Sequence, residues 1–259
     1  MSERLKDKVI LITGSTTGIG EAIARLFARE GAQVMIHGRR QDAAEKVAAE
    51  IGERAAFVVG ALEEAETAAK LIAATVARFS RIDGLVNNAA RITRCTLETA
   101  TPELFDVTMA VNVRAPLLLI QAALPHFRKQ GGGRVLNIGS VNAYCGESNL
   151  PLYSISKGGL MTLTRNLADA LAPEHIQINQ LNVGWTLTPN EYQYKLNDGL
   201  APDWPSHLPA GTAPSGRIHS PEEVAMAAVY FLTDEAALIS GSVLEVEQFP
   251  VIGRNPIRK

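Results

Sequence analysis

A chain of 259 residues suffices for one α/β domain of ordinary size, and 46% hydrophobic against 20% charged residues leaves material for a large core. A formal charge of −2 gives no electrostatic reason to expect a nucleic-acid partner or an anionic membrane surface. No apolar run in the sequence reaches the roughly 18 residues that span a bilayer, and the charged opening MSERLKDK lacks the apolar stretch of a secretion signal. Cys95 and Cys145 form no CxxC pair, so the expectation is a cytoplasmic protein with reduced thiols.

In chain order, short β-rich runs alternate with longer helical ones. Residues 9–13 (VILIT), 33–37 (QVMIH), 55–59 (AAFVV), 84–87 (GLVN), 134–138 (RVLNI), 177–181 (QINQL) and 242–246 (SVLEV) are strand candidates. Several are almost continuously apolar, as parallel strands covered on both faces are. Helical patterns lie between them, at roughly 19–30, 41–50, 63–79, 102–130, 153–171 and 221–232. In the first, Ile19, Ala22, Ile23, Leu26 and Phe27 make one apolar stripe while Glu21, Arg25 and Arg29 face away. The alternation predicts an α/β fold with right-handed crossovers, a parallel sheet and helices on both faces, in a single domain over 1–259. Residues 189–216 break the rhythm with five prolines, three glycines and Trp204. Because this stretch follows a strand's carboxyl end, it reads as a substrate lid.

Residues 9–20, VILITGSTTGIG, run from a strand through a glycine-rich turn into the amphipathic helix. Gly14, Gly18 and Gly20 let the backbone turn sharply and approach a pyrophosphate, and the helix N-terminus offers unpaired N–H groups and positive dipole. Further on, Tyr153 and Lys157 stand four apart on one helix face, where an ammonium would lower the pKa of a phenol.

Together these features resemble the classical short-chain dehydrogenases/reductases. The resemblance rests on Thr13-Gly14-x-x-x-Gly18-Ile19-Gly20, Asn87-Asn88-Ala89-Ala90, Asn112, Ser140 and Tyr153-x-x-x-Lys157, in register from about residue 7 to residue 246. It implies a Rossmann-like, doubly wound sheet of seven parallel strands in three α/β/α layers. It implies Tyr153 as general acid in reduction and general base in oxidation, with Lys157 holding the nicotinamide ribose and tuning Tyr153. Ser140 would bond the substrate oxygen and Asn112 would place a water in a proton relay. The cofactor would lie on Gly14, Ser15, Thr16, Thr17, Gly18, Ile19 and Gly20, on Asn88 and Ala89, and on Gly184, Thr186 and Thr188, besides Tyr153 and Lys157.

The end of the second strand, HGRR at 37–40, has Gly38 where NAD binders of this architecture carry a carboxylate, followed by Arg39 and Arg40. Arginine suits a 2′-phosphate, so NADP is the expected cofactor, with NAD possible. After the third strand Ala61 replaces the usual acid, leaving Leu62 and the backbone to meet adenine. The tail from Gln248 to Lys259 is expected to pack at a subunit interface or near a neighbouring site.

Arg91, Arg94, Asn142, Glu147, Trp185 and Glu191 are the expected pocket side chains, a polar set with one large aromatic. They suit a sugar, polyol or sugar acid. A 3-oxoacyl thioester reductase is the alternative, and a non-catalytic dinucleotide sensor or scaffold the rival from another class. Ser140 sits in IGSVN rather than GxSxG, and the five histidines show no ligand spacing, so neither a hydrolase nor a catalytic metal is expected. The resemblance also implies a homo-oligomer, a tetramer or dimer, paired through the helices at 102–130 and 153–171.

Overall fold

In a computed structural model of the chain, residues 3–144, 146–209 and 211–251 are described; Cys145 and most of the expected tail fall outside them. Seven parallel strands form one sheet in the order β3-β2-β1-β4-β5-β6-β7. They are β1 (Val9–Ile12), β2 (Gln33–Gly38), β3 (Ala55–Val59), β4 (Gly84–Asn87), β5 (Gly133–Ser140), β6 (Ile176–Val183) and β7 (Val243–Val246). The order reverses between β1 and β4, so a crevice opens above their carboxyl ends, where sheets of this winding bind ligands.

Period-2 alternation sends successive side chains to opposite faces. Ile10, Ile12, Ile36 and Leu136 pack with Phe27, Val224 and Val229 of α1 (Gly18–Arg29) and α8 (Pro221–Leu232). Leu11, Leu85, Val135 and Ile178 pack on the other face, with Leu71 of α3 (Thr67–Phe79) and Phe127 of α5 (Ala115–Gln130). Each such fully buried side chain contributes roughly 1.5–3 kcal/mol by leaving water. The remaining helices are α2 (Gln41–Ile51), α4 (Pro102–Met109), α6 (Pro151–Leu171) and α7 (Pro189–Asn197).

Three departures from the sequence reading bear on function. β5 and β6 run to eight residues each, their ladder continuing from Gly133 and Ile176 to Ser140 and Val183, and buried amides stand among the apolar side chains of their upper halves. Asn87 donates to Asn137, Asn137 to Thr164, and Gln180 to Asn182, a buried polar chain beneath α6. The helix expected over 102–130 is interrupted by a π turn, Ala110–Arg114, carrying Asn112. That 29-residue stretch contains a window of 18 residues with mean hydropathy 1.5, by length and composition enough to cross a membrane. Here Val111, Ala115, Leu119, Ile120, Ala123 and Phe127 bury its apolar side in the core.

Third, the lid is not without regular structure. Thr188 caps α7 by accepting the Glu191 N–H at 3.1 Å, followed by a short 3-10 turn, Trp204–Ser206. No apolar period marks α7 because none of its residues is fully buried. Aromatic stacking anchors it: Trp204, 4% exposed, lies 5.5 Å from the Trp185 ring and 6.3 Å from Tyr192. The tail's first residue turns back on its own chain. Gln248 accepts from the Ser215 N–H at 3.0 Å and donates to the Arg217 carbonyl at 2.7 Å.

Candidate active site

The glycine turn between β1 and α1 is held by backbone and by one neighbouring segment. Gly14 (φ +63°) and Gly18 (φ +58°) occupy the left-handed region that side chains rarely adopt. A Cβ on Gly20 would run into the Gly14 carbonyl and the Asn88 amide. Asn88 is there because its Nδ2 donates to the carbonyls of Thr13 and Gly14, both at 2.9 Å. The Thr13 hydroxyl in turn accepts the N–H groups of Asn88 and Ala89, each at 3.1 Å.

From this turn a cavity of about 860 Å³ extends across the carboxyl ends of the strands. Gly14, Thr16, Thr17, Gly18, Ile19, Gly20, Arg39, Leu62, Asn88 and Ala89 line one end; Gly184, Thr186 and Thr188 line it where β6 leaves the sheet. Four expected residues stand apart from it. Ser15 is fully buried, its hydroxyl spent on the Ile12 carbonyl at 2.7 Å and the His37 N–H at 3.0 Å. Arg40 caps α2 with its side chain in solvent, 3.9 Å from Asp42. The wall passes from Gly60 to Leu62 and leaves Ala61 out. Asn112 is 1% exposed, and its amide serves structure. It exchanges hydrogen bonds with the Arg91 backbone at 2.7 and 2.9 Å and donates to Ser156 at 2.9 Å, so both its N–H groups are used.

At the centre of the cavity Ser140, Tyr153 and Lys157 meet. Ser140 ends β5, and its hydroxyl hydrogen-bonds the Tyr153 side chain while accepting the Asn142 N–H at 3.2 Å. Tyr153 and Lys157 lie one turn apart on α6, which Pro151 opens at its first position. The Lys157 ammonium donates to the Ile138 carbonyl at 2.7 Å and lies 5.6 Å from the Tyr153 ring centre. The expected downward pull of that ammonium on the phenol does not prevail. Burial pushes Tyr153 up to about 12, with the Glu191 charge adding and the Ser140 bond opposing. Burial also pushes Lys157 down to about 8.

Beyond Tyr153, Asn142, Trp185, Glu191, Arg91 and Arg94 line the cavity, with Glu147 exposed at its edge. The Trp185 indole donates to Glu191 at 2.8 Å, and Lys195 sits 3.9 Å from the same carboxylate. Arg94 lies 3.6 Å from Asp198 and 3.9 Å from Glu147, so it ties α7 to the segment after β4. Among the wall residues that escaped the sequence reading are His37, Tyr194 and Glu247. Glu247 lies so close to Gly184 that any side chain there would strike its carboxylate, and His219 stands 3.8 Å away. Its signal was its place just past β7, at the end of the sheet where the other site residues gather.

Comparison with known proteins agrees with this geometry. The family profile described as Enoyl-(Acyl carrier protein) reductase matches residues 14–248. An uncharacterized oxidoreductase of Thermotoga maritima is 34% identical over 93% of this chain and 96% of its own. The "Probable galactose dehydrogenase GalD" of Rhizobium meliloti is 34% identical over 75% of this chain and 77% of its own. Dehydrogenase/reductase SDR family member 4 of Sus scrofa is 35% identical over 93% of this chain and 86% of its own. Among solved structures, a 3-oxoacyl (acyl-carrier-protein) reductase of Agrobacterium tumefaciens with NADP bound superposes with TM-score 0.85 at 29% identity, over 93% of both chains. A 3-ketoacyl-(acyl-carrier-protein) reductase of Brucella melitensis complexed with NADH gives 0.84 at 33% identity, over 93% of this chain and 97% of that one. With its seven-stranded parallel sheet and a match over nearly its whole length, the chain belongs to the short-chain dehydrogenase/reductase family of oxidoreductases acting on CH–OH groups.

Proposed function

We propose that this chain is an NADP(H)-dependent oxidoreductase interconverting a carbonyl and a secondary alcohol on a small polar substrate, a sugar, polyol or sugar acid. One observation carries the reading. A buried phenol, Tyr153, bonded to Ser140, faces a cavity whose far end is a glycine turn flanked by Arg39.

That end suits a dinucleotide. The left-handed glycines, with Gly20 packed too tightly against Gly14 and Asn88 to carry a side chain, leave a cradle of bare backbone for a pyrophosphate. Arg39 offers its planar fork to a 2′-phosphate, and no carboxylate stands at Gly38 to receive ribose hydroxyls. When bound, the nicotinamide supplies or accepts the hydride. Tyr153 handles the proton. With its pKa pushed up to about 12, the phenol is protonated at neutral pH and ready to donate to a carbonyl oxygen, the reductive direction. Ser140, already bonded to the phenol, is placed to hold that same oxygen. Lys157, tied to Ile138, sets a titratable charge beneath the pair. Alcohol oxidation requires Tyr153 to lose its proton first, so its rate is expected to rise with pH.

Glu191, Glu247, Asn142 and Arg94 give the other end hydrogen-bonding partners for several hydroxyls, and the name of the Rhizobium relative supports a sugar. The names of the two structural neighbours support the second reading, a 3-oxoacyl thioester reductase. The proposal extends to a homo-oligomer in a reducing cytoplasm. Phe105 and Leu117 on α4 and α5, and Met226 and Tyr230 on α8, leave apolar surface for a second copy, and Cys95 is a buried free thiol.

The test follows absorbance of the reduced cofactor, with NADP and with NAD, across sugars, polyols, oxo-acids, hydrophobic ketones and acetoacetyl thioesters. Turnover of hydrophobic ketones with none of sugars would end the substrate reading. Tyr153→Phe should lower the rate about 10²–10⁴-fold while still binding NADPH. A fully active variant would favour the non-catalytic rival.

A further inference from the structure

His37, the last residue but one of β2, takes no part in the chemistry above, yet it touches both the glycine turn and the end of β3. Its Nδ1 accepts the Gly14 N–H at 3.2 Å, and its Nε2 lies 3.2 Å from the Gly60 carbonyl just past β3. Its backbone N–H goes to the Ser15 hydroxyl at 3.0 Å, and its carbonyl accepts the Ser15 N–H at 2.9 Å. The ring is 2% exposed and lines the cavity.

These partners fix the tautomer. An amide N–H can only donate, so Nδ1 carries no proton; a carbonyl can only accept, so Nε2 carries one. A protonated ring would aim a second N–H at the Gly14 N–H and lose that bond. Burial keeps the ring neutral, pushing its pKa down to about 4 against the upward pull of the Gly60 carbonyl. His37 therefore occupies the first two N–H groups of the turn, Gly14 through its ring and Ser15 through its backbone, and a phosphate must be met by donors from Thr16 onward. Nor does the sequence supply a substitute. Ser15, Thr16 and Thr17 hold no cation in the turn, and Ala61 holds no acid beside Gly60.

We propose that His37 is a positioning residue: as the neutral Nε2–H tautomer it braces the glycine turn against the end of β3, and dinucleotide affinity depends on that brace. The part concerning affinity rests on the cofactor reading above; the part concerning the turn does not.

The experiment uses the full chain. Long-range proton–nitrogen NMR of the wild-type imidazole should show Nδ1 unprotonated and Nε2 protonated at pH 7, and hydrogen exchange should find the Gly14 amide protected. NADPH fluorescence titration should then show His37→Phe, which keeps the ring volume and removes both nitrogens, binding about tenfold more weakly. Its Gly14 amide should exchange faster. His37→Gln, whose amide can both accept and donate, should restore most of the affinity. A ring protonated on Nδ1, or a folded His37→Phe that binds NADPH like the wild type, would overturn the proposal. Should His37→Phe fail to fold, the wild-type tautomer and the His37→Gln affinity decide it, since a Gln variant that folds but binds no better than tenfold below wild type would contradict the brace. A wild-type chain with the braced tautomer and no NADPH binding would refute the cofactor reading and leave the brace standing.

Discussion

The two ends of the cavity are built by different means. The nucleotide end is made of backbone. Gly14, Gly18 and Gly20 shape it, and Thr13, Asn88 and His37 spend their side chains on main-chain groups. The lid end is made of side chains meeting side chains, with Trp204 stacked on Trp185 and Arg94 paired to Asp198 and Glu147. Backbone geometry leaves little freedom, because a glycine either is or is not required. Ion pairs of 3.6–3.9 Å at partly exposed residues are each worth under about 1 kcal/mol and can be rearranged. The first end can hold one cofactor rigidly while the second adapts to a substrate.

If that contrast is right, one methyl group should matter more at the first end than a whole ring at the second. Gly20→Ala drives a Cβ into the Gly14 carbonyl and the Asn88 amide, neither of which can yield without opening the turn. NADPH affinity measured by titration should fall on the order of a hundredfold, the upper part of the overpacking cost of roughly 1–3 kcal/mol. A near-normal affinity would show the turn to be more pliant than its hydrogen bonds suggest. At the lid, Trp204→Ala removes the anchor of α7 and should raise the KM for the carbonyl substrate about tenfold, leaving NADPH affinity unchanged, because the lost stacking is worth about 0.5–1.5 kcal/mol beyond its buried area. Trp204→Phe is the informative partner. It keeps a ring between Trp185 and Tyr192 and removes an indole N–H that is buried without a partner, so it should behave nearly as the wild type. Equal effects of Trp204→Ala on cofactor and substrate would break the comparison.

The same contrast explains what could be read from the sequence. Glycines at 14, 18 and 20, between an apolar strand and an amphipathic helix, announce a backbone device, and all seven strands were legible because both sheet faces are covered. Side-chain direction was not legible. Nothing local says that Ser15 turns inward to Ile12, or that Asn112, placed on a π turn, spends its amide on Arg91 and Ser156. The helix α7 stayed hidden because its order comes from a cap and an aromatic stack with Trp204, rather than from an apolar period. Tyr194 reaches the cavity from that same helix, so no local pattern marked it. For Tyr153 the spacing to Lys157 was legible and its burial was not, and burial is what holds the phenol up.

The smallest effect concerns the brace at the rigid end, and it separates a neutral histidine from a charged one. In the unfolded chain His37 has its ordinary pKa, near 6.5; folded, it is held at about 4. Between these values the unfolded state binds the extra proton, so stability falls as pH falls. The loss begins as pH drops through the unfolded value and is complete below the folded one. Between pH 7.5 and 5.5 it amounts to about 1 kcal/mol. In a chain of this size that lowers Tm by roughly 2–4 °C. His37→Gln cannot titrate there, so the gap between its Tm and that of the wild type should shift by that amount, in favour of the variant, as the pH is lowered. A gap independent of pH would mean that His37 is not held neutral, and that the turn is braced by some other contact.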